Sequence, residues 1–451
     1  MRWLMLYPLY VLSEIAIIST DLAELLGSAI GFCLLFPKLP LWAGVVLTAA
    51  DVLIFLSFSA PSRDQGRPVR VFEFSIIGLV LAVFSCFVVL LVKASPDWSQ
   101  VFMGYIPNKA LFQSRPDAVY TAVGILGATV MPHALFLGSS LATQDRVTIA
   151  PPEEELPSPA SGRAGFKSKV QNIVNPLFRI TQAGRTSSTI DYRMKYGDRD
   201  NNSLTFINQH LRHGVADVVT SLIALAIPIN SAILILAAAV FFYGPVGASG
   251  SPAGLFEAHD FISNRLGNGA GVIFALALVC AGQTSSITVT LAGQIVSEGF
   301  IEWKISPFLR RLITRCISLV PSVVVAVAVG REGINTLLFA SQVVLSVVLP
   351  FVAFPLIYLT SKEAVMRVQK SPPEPEAVDQ TEKGPQPIPA EFEISEQGES
   401  QTVNAENQNE SVQNVEEAVD FSNGLMLASL AYVIWCIVLV ANAYAIVMLF
   451  L

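Results

Sequence analysis

Apolar stretches long enough to cross a bilayer recur along this chain, separated by polar connections. Nine are read as spans: Leu6–Phe36, Leu41–Ser59, Phe72–Val92, Val119–Ala142, Leu211–Tyr243, Ala270–Val296, Leu312–Val329, Ile334–Leu359 and Leu425–Phe450. About twenty residues at 1.5 Å rise cover roughly 30 Å of hydrocarbon. In that medium each backbone polar group needs a partner inside the segment, so the spans are predicted to be helices. Several exceed the minimum and have room to tilt, break or carry interfacial ends. The pattern divides the chain into 1–143 with four spans, a polar connection at 144–207, four spans in 208–360, an acidic connection at 361–423, and a last span in 424–451.

The fourth span is interrupted near its middle by Gly127-Ala128-Thr129-Val130-Met131-Pro132-His133. Proline removes a helical hydrogen bond and clashes with the preceding turn, and the nearby glycine eases the break. Unwound backbone at membrane depth is tolerated where it is buried in protein or lines a cavity. The break frees carbonyls, Met131 adds a soft thioether, and His133 adds an ionisable imidazole. This set suits a transition-metal site coupled to protons better than a sugar or amino-acid site.

The first span carries Glu14, Asp21 and Glu24, which fall within about 80° of one another around a helix. A charged acid at mid-membrane costs about 2.5–3.5 kcal/mol on insertion scales, so three on one face are not expected to point at lipid. They either bond neighbouring helices structurally or line a water-accessible proton path. Thr20, Gly27, Ser28 and Gly31 on the same helix favour close packing.

Other polar groups leave alternatives open. The run Gly282 to Gln294 repeats hydroxyls and amides at helical spacing, serving interhelical hydrogen bonds or a helix end beside a permeation path. Snorkelling and the positive-inside bias account for Arg310 and Arg311, whereas Arg315 sits deeper and is expected to pair with an acid. Gln342 and Asn230 lie inside spans, where a buried amide either offers an oxygen to an ion or bonds another helix.

Composition agrees with the pattern: 53% of residues are hydrophobic and only 14% charged, the profile of a polytopic membrane protein. The net charge of −7 arises mostly from the acidic connection. Loop bases place the N-terminus and both long connections on the cytoplasmic side, so the sequons at Asn201 and Asn409 are expected to stay unmodified. The connection at 361–423, with Pro372-Pro373-Glu374-Pro375-Glu376 and many Glu, Gln and Asn, has the composition of disorder. All five cysteines fall within spans, so disulfides are not expected. Arg2 leads directly into a span too long and too acidic for a secretory signal. No phosphate-binding glycine loop, zinc-ligand spacing or nucleophile elbow is present, which argues against an enzyme. The acidic balance argues against nucleic acid.

Five ordered stretches resemble the natural-resistance-associated macrophage protein (Nramp) family, particularly its fungal branch. They are Ser19 to Gly31, Gly127 to His133, Gly282 to Phe300, Arg310 to Arg315 and Ser341 to Ser346. The resemblance implies an all-α, LeuT-like inverted-repeat fold and proton-coupled transport of Mn²⁺ or Fe²⁺, with no resident cofactor. It implies that the Ala128 carbonyl and the Met131 sulfur are metal ligands, with Gln342 an oxygen ligand in some conformations. Soft sulfur favours transition metals over Ca²⁺ and Mg²⁺, which prefer all-oxygen shells. By the same resemblance Glu14, Asp21, Glu24, His133, Arg310 and Arg311 form the proton route and its charge partners, and Asn230 is a supporting polar position. The expected setting is a multi-pass position in the plasma, endosomal or vacuolar membrane.

The chain departs from the family pattern in specific ways. The family's opening Asp-Pro-Gly-Asn, which carries its main charged and polar metal ligands, is absent from this sequence. The chain therefore reads as N-terminally incomplete, starting at the family's third helix, and impaired transport is the expectation. Ala134 stands where the family has Asn or Ser, and Gly138 where many members have a second His. The rival readings are a non-transporting receptor or regulatory partner, with trafficking proteins on its cytoplasmic loops, and an organic-substrate transporter on the same fold.

Overall fold

The computed structural model describes residues 2–59, 66–106, 117–142, 204–242, 254–301, 307–369 and 418–450. Nearly all of this is helical. After a π-helical turn at Arg2–Leu6, α1 runs Tyr7–Leu35, α2 Leu41–Ser59, α3 Gly66–Ala94 and the short α4 Trp98–Gly104. The fourth predicted span is two helices, α5 Asp117–Thr129 and α6 Pro132–Ala142. Next come α7 Leu204–Phe242, α8 Leu255–Leu266, α9 Asn268–Ile301, α10 Pro307–Ala328 and α11 Arg331–Thr360. A single turn α12, Glu363–Met366, and α13, Leu425–Phe450, complete the helices.

Each predicted span thus corresponds to helix. Eight are long and apolar enough to cross a membrane, and α2 supplies a shorter apolar run, Leu41–Ile54. The chain is accordingly a multi-pass membrane protein. At 1.5 Å per residue the 39-residue α7 is about 58 Å long, more than the hydrocarbon needs. It contains two π-helical turns, Leu222–Ala226 and Ala238–Phe242. The amphipathic α8 and the short α4 have no counterpart in the span reading.

The central helix is α1. Two thirds of its apolar stretch (67%) is buried inside the protein, against 11% for α13, whose Leu, Val and Ile side chains face outward as lipid-contacting surface. Small residues let neighbouring backbones approach α1. A Cβ at Gly31 would lie 3.0 Å from the Val279 backbone nitrogen, and one at Gly282 would lie 3.1 Å from the Glu24 carbonyl oxygen. Leu25, Leu26 and Ile30 of α1 pack with Val45 of α2 and Ile334 of α11. A second core joins Leu90 of α3, Leu236 of α7, Ile262 of α8 and Phe274 of α9.

Two three-residue strands were not anticipated. β1 (Arg367–Gln369) pairs antiparallel with β2 (Ala418–Asp420), with Val368 opposite Val419. The Asn423 backbone N–H donates to the Thr360 carbonyl at 2.9 Å, tying the ends of α11 and α13 together. The rest of the acidic connection and nearly all of 144–207, including both sequons, lie outside the described residues. All five cysteines are free thiols.

Candidate cation site and charged ladder

The break between α5 and α6 is two residues wide. The Val130 N–H returns to the Leu126 carbonyl at 2.9 Å and closes α5, while the Ala134 N–H donates to the Met131 carbonyl at 3.1 Å and opens α6. Pro132 takes the first position of α6, where its missing N–H and fixed φ fit best. It also leaves the carbonyl four residues back, that of Ala128, without its helical donor.

Gly127 presses this break against α11. A Cβ there would collide with the Gln342 carbonyl oxygen and come within 2.7 Å of the Ser346 backbone nitrogen, so only glycine allows the approach. Ala128 follows directly and Met131 comes three residues later, in the break; both are half-buried. On the facing helix, Gln342 Oε1 and Ser346 Oγ lie one turn apart, buried and with no hydrogen-bond partner. The crossing therefore joins Gly127, and with it the adjoining Ala128, to the turn of α11 that carries Gln342, while Met131 lies in the break that follows. A carbonyl, a thioether and an amide oxygen form a neutral, partly soft donor set. Among the described residues no three His, Cys, Asp or Glu side chains cluster as a metal site.

His133 is buried in the first turn of α6, 3% exposed. Its Nδ1 lies 3.3 Å from Thr20 Oγ1, whose own proton is donated to the Ala16 carbonyl at 2.9 Å. The hydroxyl oxygen must then accept from Nδ1–H, which leaves Nε2 as the lone-pair nitrogen. Thr20 adjoins Asp21, so the break touches the acidic face of α1 through this contact.

That face meets a row of arginines on α10. Asp21 Oδ1 accepts from Arg315 Nη1 at 2.5 Å, with side chains only 2% and 1% exposed. The second Arg315 Nη donates to Thr290 Oγ1 at 3.0 Å. Further along, Arg310 is ion-paired with Glu14 and donates through Nε to Ser297 Oγ at 3.1 Å. Arg311 Nη2 donates to Gln294 Oε1 at 2.8 Å, and Gln294 Nε2 donates to Glu298 at 2.8 Å. The half-buried Glu24 carboxylate lies against the Ser285 hydroxyl of α9. The polar face of α9 thus binds the ladder side chains, which answers the interhelical half of the alternative left open for Gly282 to Gln294.

Two expectations are corrected. Arg310 and Arg311 do not snorkel: both are buried, at 6% and 5% exposed, because Glu14, Ser297 and Gln294 give their guanidinium groups partners inside the protein. Asn230 does not join the site. It sits on the exposed face of α7 and donates to its own helix at the Ala226 carbonyl, 2.9 Å. Arg315, expected to pair with an acid, does so. Ala134 and Gly138 both lie on the exposed side of α6, away from the crossing.

One acid escaped the sequence reading. Asp51, within the apolar α2, accepts from Gln283 Nε2 of α9 at 2.8 Å. A lone acid inside a membrane span is itself a signal, because its cost demands a partner or a role.

Comparison with known proteins agrees with this geometry. The chain is 36% identical over 444 residues to the iron transporter SMF3 of Saccharomyces cerevisiae, covering 98% of this chain and 80% of that one. It is 35% identical over 460 residues to the manganese transporter SMF1 of the same yeast, covering 99% and 73%. A crystal structure of a histidine mutant of the Eremococcus coleocola manganese transporter superposes with a TM-score of 0.59 at 24% identity, covering 97% of this chain and 70% of that chain. The fold is therefore LeuT-like. A family model described as natural resistance-associated macrophage protein-like matches residues 2–374, and the chain belongs to that family, Nramp.

Proposed function

We propose that this protein carries divalent transition-metal ions, manganese or iron, across a membrane together with protons. The observation that carries the reading is the crossing at Gly127. There Gly127 meets Gln342, whose buried amide oxygen has no partner, and the helix break that follows carries the Ala128 carbonyl and the Met131 thioether. Buried polar atoms without partners are rare in folded proteins and mark unfilled binding capacity. A neutral donor set with one sulfur suits Mn²⁺ or Fe²⁺ better than Ca²⁺ or Mg²⁺. The iron and manganese named for the two yeast relatives fit the same chemistry.

Proton coupling is supported by the buried ladder. The pairs Asp21–Arg315 and Glu14–Arg310, with His133 against Thr20, place titratable groups from the cation crossing outward along α1. The test is reconstitution of the full chain into proteoliposomes with radioactive manganese outside and a pH-sensitive dye inside. Manganese uptake accompanied by acidification, suppressed by Fe²⁺ and not by Ca²⁺, is the expected result, at a reduced rate because the charged and polar donors of Asp-Pro-Gly-Asn are absent from this sequence. Uptake of an amino acid or sugar instead would refute the proposal.

A further inference from the structure

Among the described residues, eight buried side-chain nitrogen or oxygen atoms lack a partner, and their distribution is uneven. Two, on Gln342 and Ser346, belong to the cation crossing. Five more, Asp21 Oδ2, Ser28 Oγ, Asp51 Oδ1, Ser286 Oγ and Arg315 Nε, surround one turn of α9, Gly282 to Ser286. Gly282 abuts Ser28 and the Glu24 carbonyl. Gln283 donates to Asp51 at 2.8 Å, and Ser285 lies against Glu24. The Ser286 carbonyl accepts from Arg315 at 3.4 Å. Polar atoms left open in one place supply the two to four converging groups that a buried water needs.

We infer that Asp51 is a second acid on the proton route, joined to the Asp21–Arg315 pair through water held at this turn of α9. The inference rests on the proton-coupled reading above. Asp51 has the geometry of a relay: Oδ2 is fixed by Gln283, and Oδ1 is buried and open. The charged groups facing it are few. From α10 it is Arg315, which acts electrostatically on Asp51 and is itself paired with Asp21 of α1, while Arg310 and Arg311 are engaged by Glu14 and Gln294. From α9 only amides and hydroxyls face it. The described side chains of α3 contribute only Lys93, at the opposite end of that helix. A proton leaving the Asp21 or Glu24 carboxyl for a water at this turn, with a proton of that water passing to Asp51 Oδ1, ionises one acid and neutralises the other. Nothing else is transferred.

The test compares wild type with Asp51→Asn in proteoliposomes, measuring protons and manganese entering on addition of Mn²⁺. The ratio of protons to manganese should fall about tenfold or more in Asp51→Asn, the scale of losing one proton-transfer group, and return in Asp51→Glu. Both fluxes falling together at an unchanged ratio would overturn the inference, because that is a structural role. Wild-type manganese uptake with no proton entry would sink the coupling reading itself, and this inference with it, before any variant is examined. Infrared pH-difference spectra of the purified full chain give a readout independent of transport. Gln283→Leu keeps the acid but removes its donor, so it should shift one carboxylic C=O band that Asp51→Glu also moves. An unchanged spectrum would refute the assignment even if Asp51→Asn does not fold.

Discussion

The pair between Asp21 and Arg315 permits a sharp test of how this bundle is held together. Both side chains are almost fully buried, at 2% and 1% exposed, and Arg315 also donates to Thr290 Oγ1 and the Ser286 carbonyl. Removing one member of such a pair strands the other charge in a medium that cannot solvate it, at a cost of about 3–5 kcal/mol. Arg315→Gln leaves an Asp21 carboxylate whose Oδ2 already lacks a partner. Asp21→Asn leaves a guanidinium held only by neutral groups. Independent losses would sum to roughly 6–10 kcal/mol, comparable to the whole stability of many domains. In the double variant, however, no charge is stranded, so it should be no less stable than either single one. The assay is thermal unfolding of detergent-purified wild type, both single variants and the double variant, read as loss of the monodisperse size-exclusion peak. Additive destabilisation in the double variant would refute the reasoning, because a coupling energy is what a contacting ion pair must show.

Other consequences follow from the same geometry. Gly127→Val should drive α5 away from α11, since even a Cβ meets the Gln342 carbonyl and the Ser346 backbone; a loss of about 1–3 kcal/mol or failure to accumulate is expected in the same unfolding assay. Met131→Ala should raise the manganese KM roughly tenfold and narrow the preference for Mn²⁺ over Ca²⁺, measured by competition of radioactive uptake, because it removes the one soft donor. Replacing residues 370–417 with a two-residue Asn-Gly turn should leave folding and uptake intact, because the β1–β2 ladder already fixes both ends. Loss of uptake would favour the reading in which the connections carry the function.

Much of this architecture is legible locally. A helix that must satisfy its own backbone in hydrocarbon announces itself by length and apolarity, so the span positions follow from pattern alone. The break follows from Pro132, and Arg315 needed an acid. Which acid it took could not be read, because the choice among Glu14, Asp21 and Glu24 depends on the offset between α1 and α10, and that offset is set by side chains on both helices. Asn230 failed for the opposite reason: an amide that bonds the carbonyl four residues back satisfies itself without a neighbouring helix. The β1–β2 ladder was out of reach of any local pattern, since its strands are three residues long and separated by almost fifty.

Asp51 is silent in the sequence pattern for a physical reason. A single acid in an apolar run carries little periodic signal, whereas Glu14, Asp21 and Glu24 reinforce one another by sharing a face. Asp51 finds its donor on α9, in a stretch whose hydroxyls and amides read as packing polarity. The same helix supplies Thr290 to Arg315, Gln294 to Arg311 and Ser297 to Arg310. One polar face of α9 therefore supports charges from α2 and α10, while the proposed cation donors lie on α5, in the break after it and on α11, and are all neutral. The hydrogen bond between His133 and Thr20 connects these two sets, since Met131 lies two residues before His133 and Asp21 lies directly after Thr20. On the proposed reading, an ion drawing on Met131 pulls on the same short segment whose imidazole touches the acid helix. The proposed coupling between cation and proton then needs no change propagated across the bundle, only a displacement of one helix turn that both sets share.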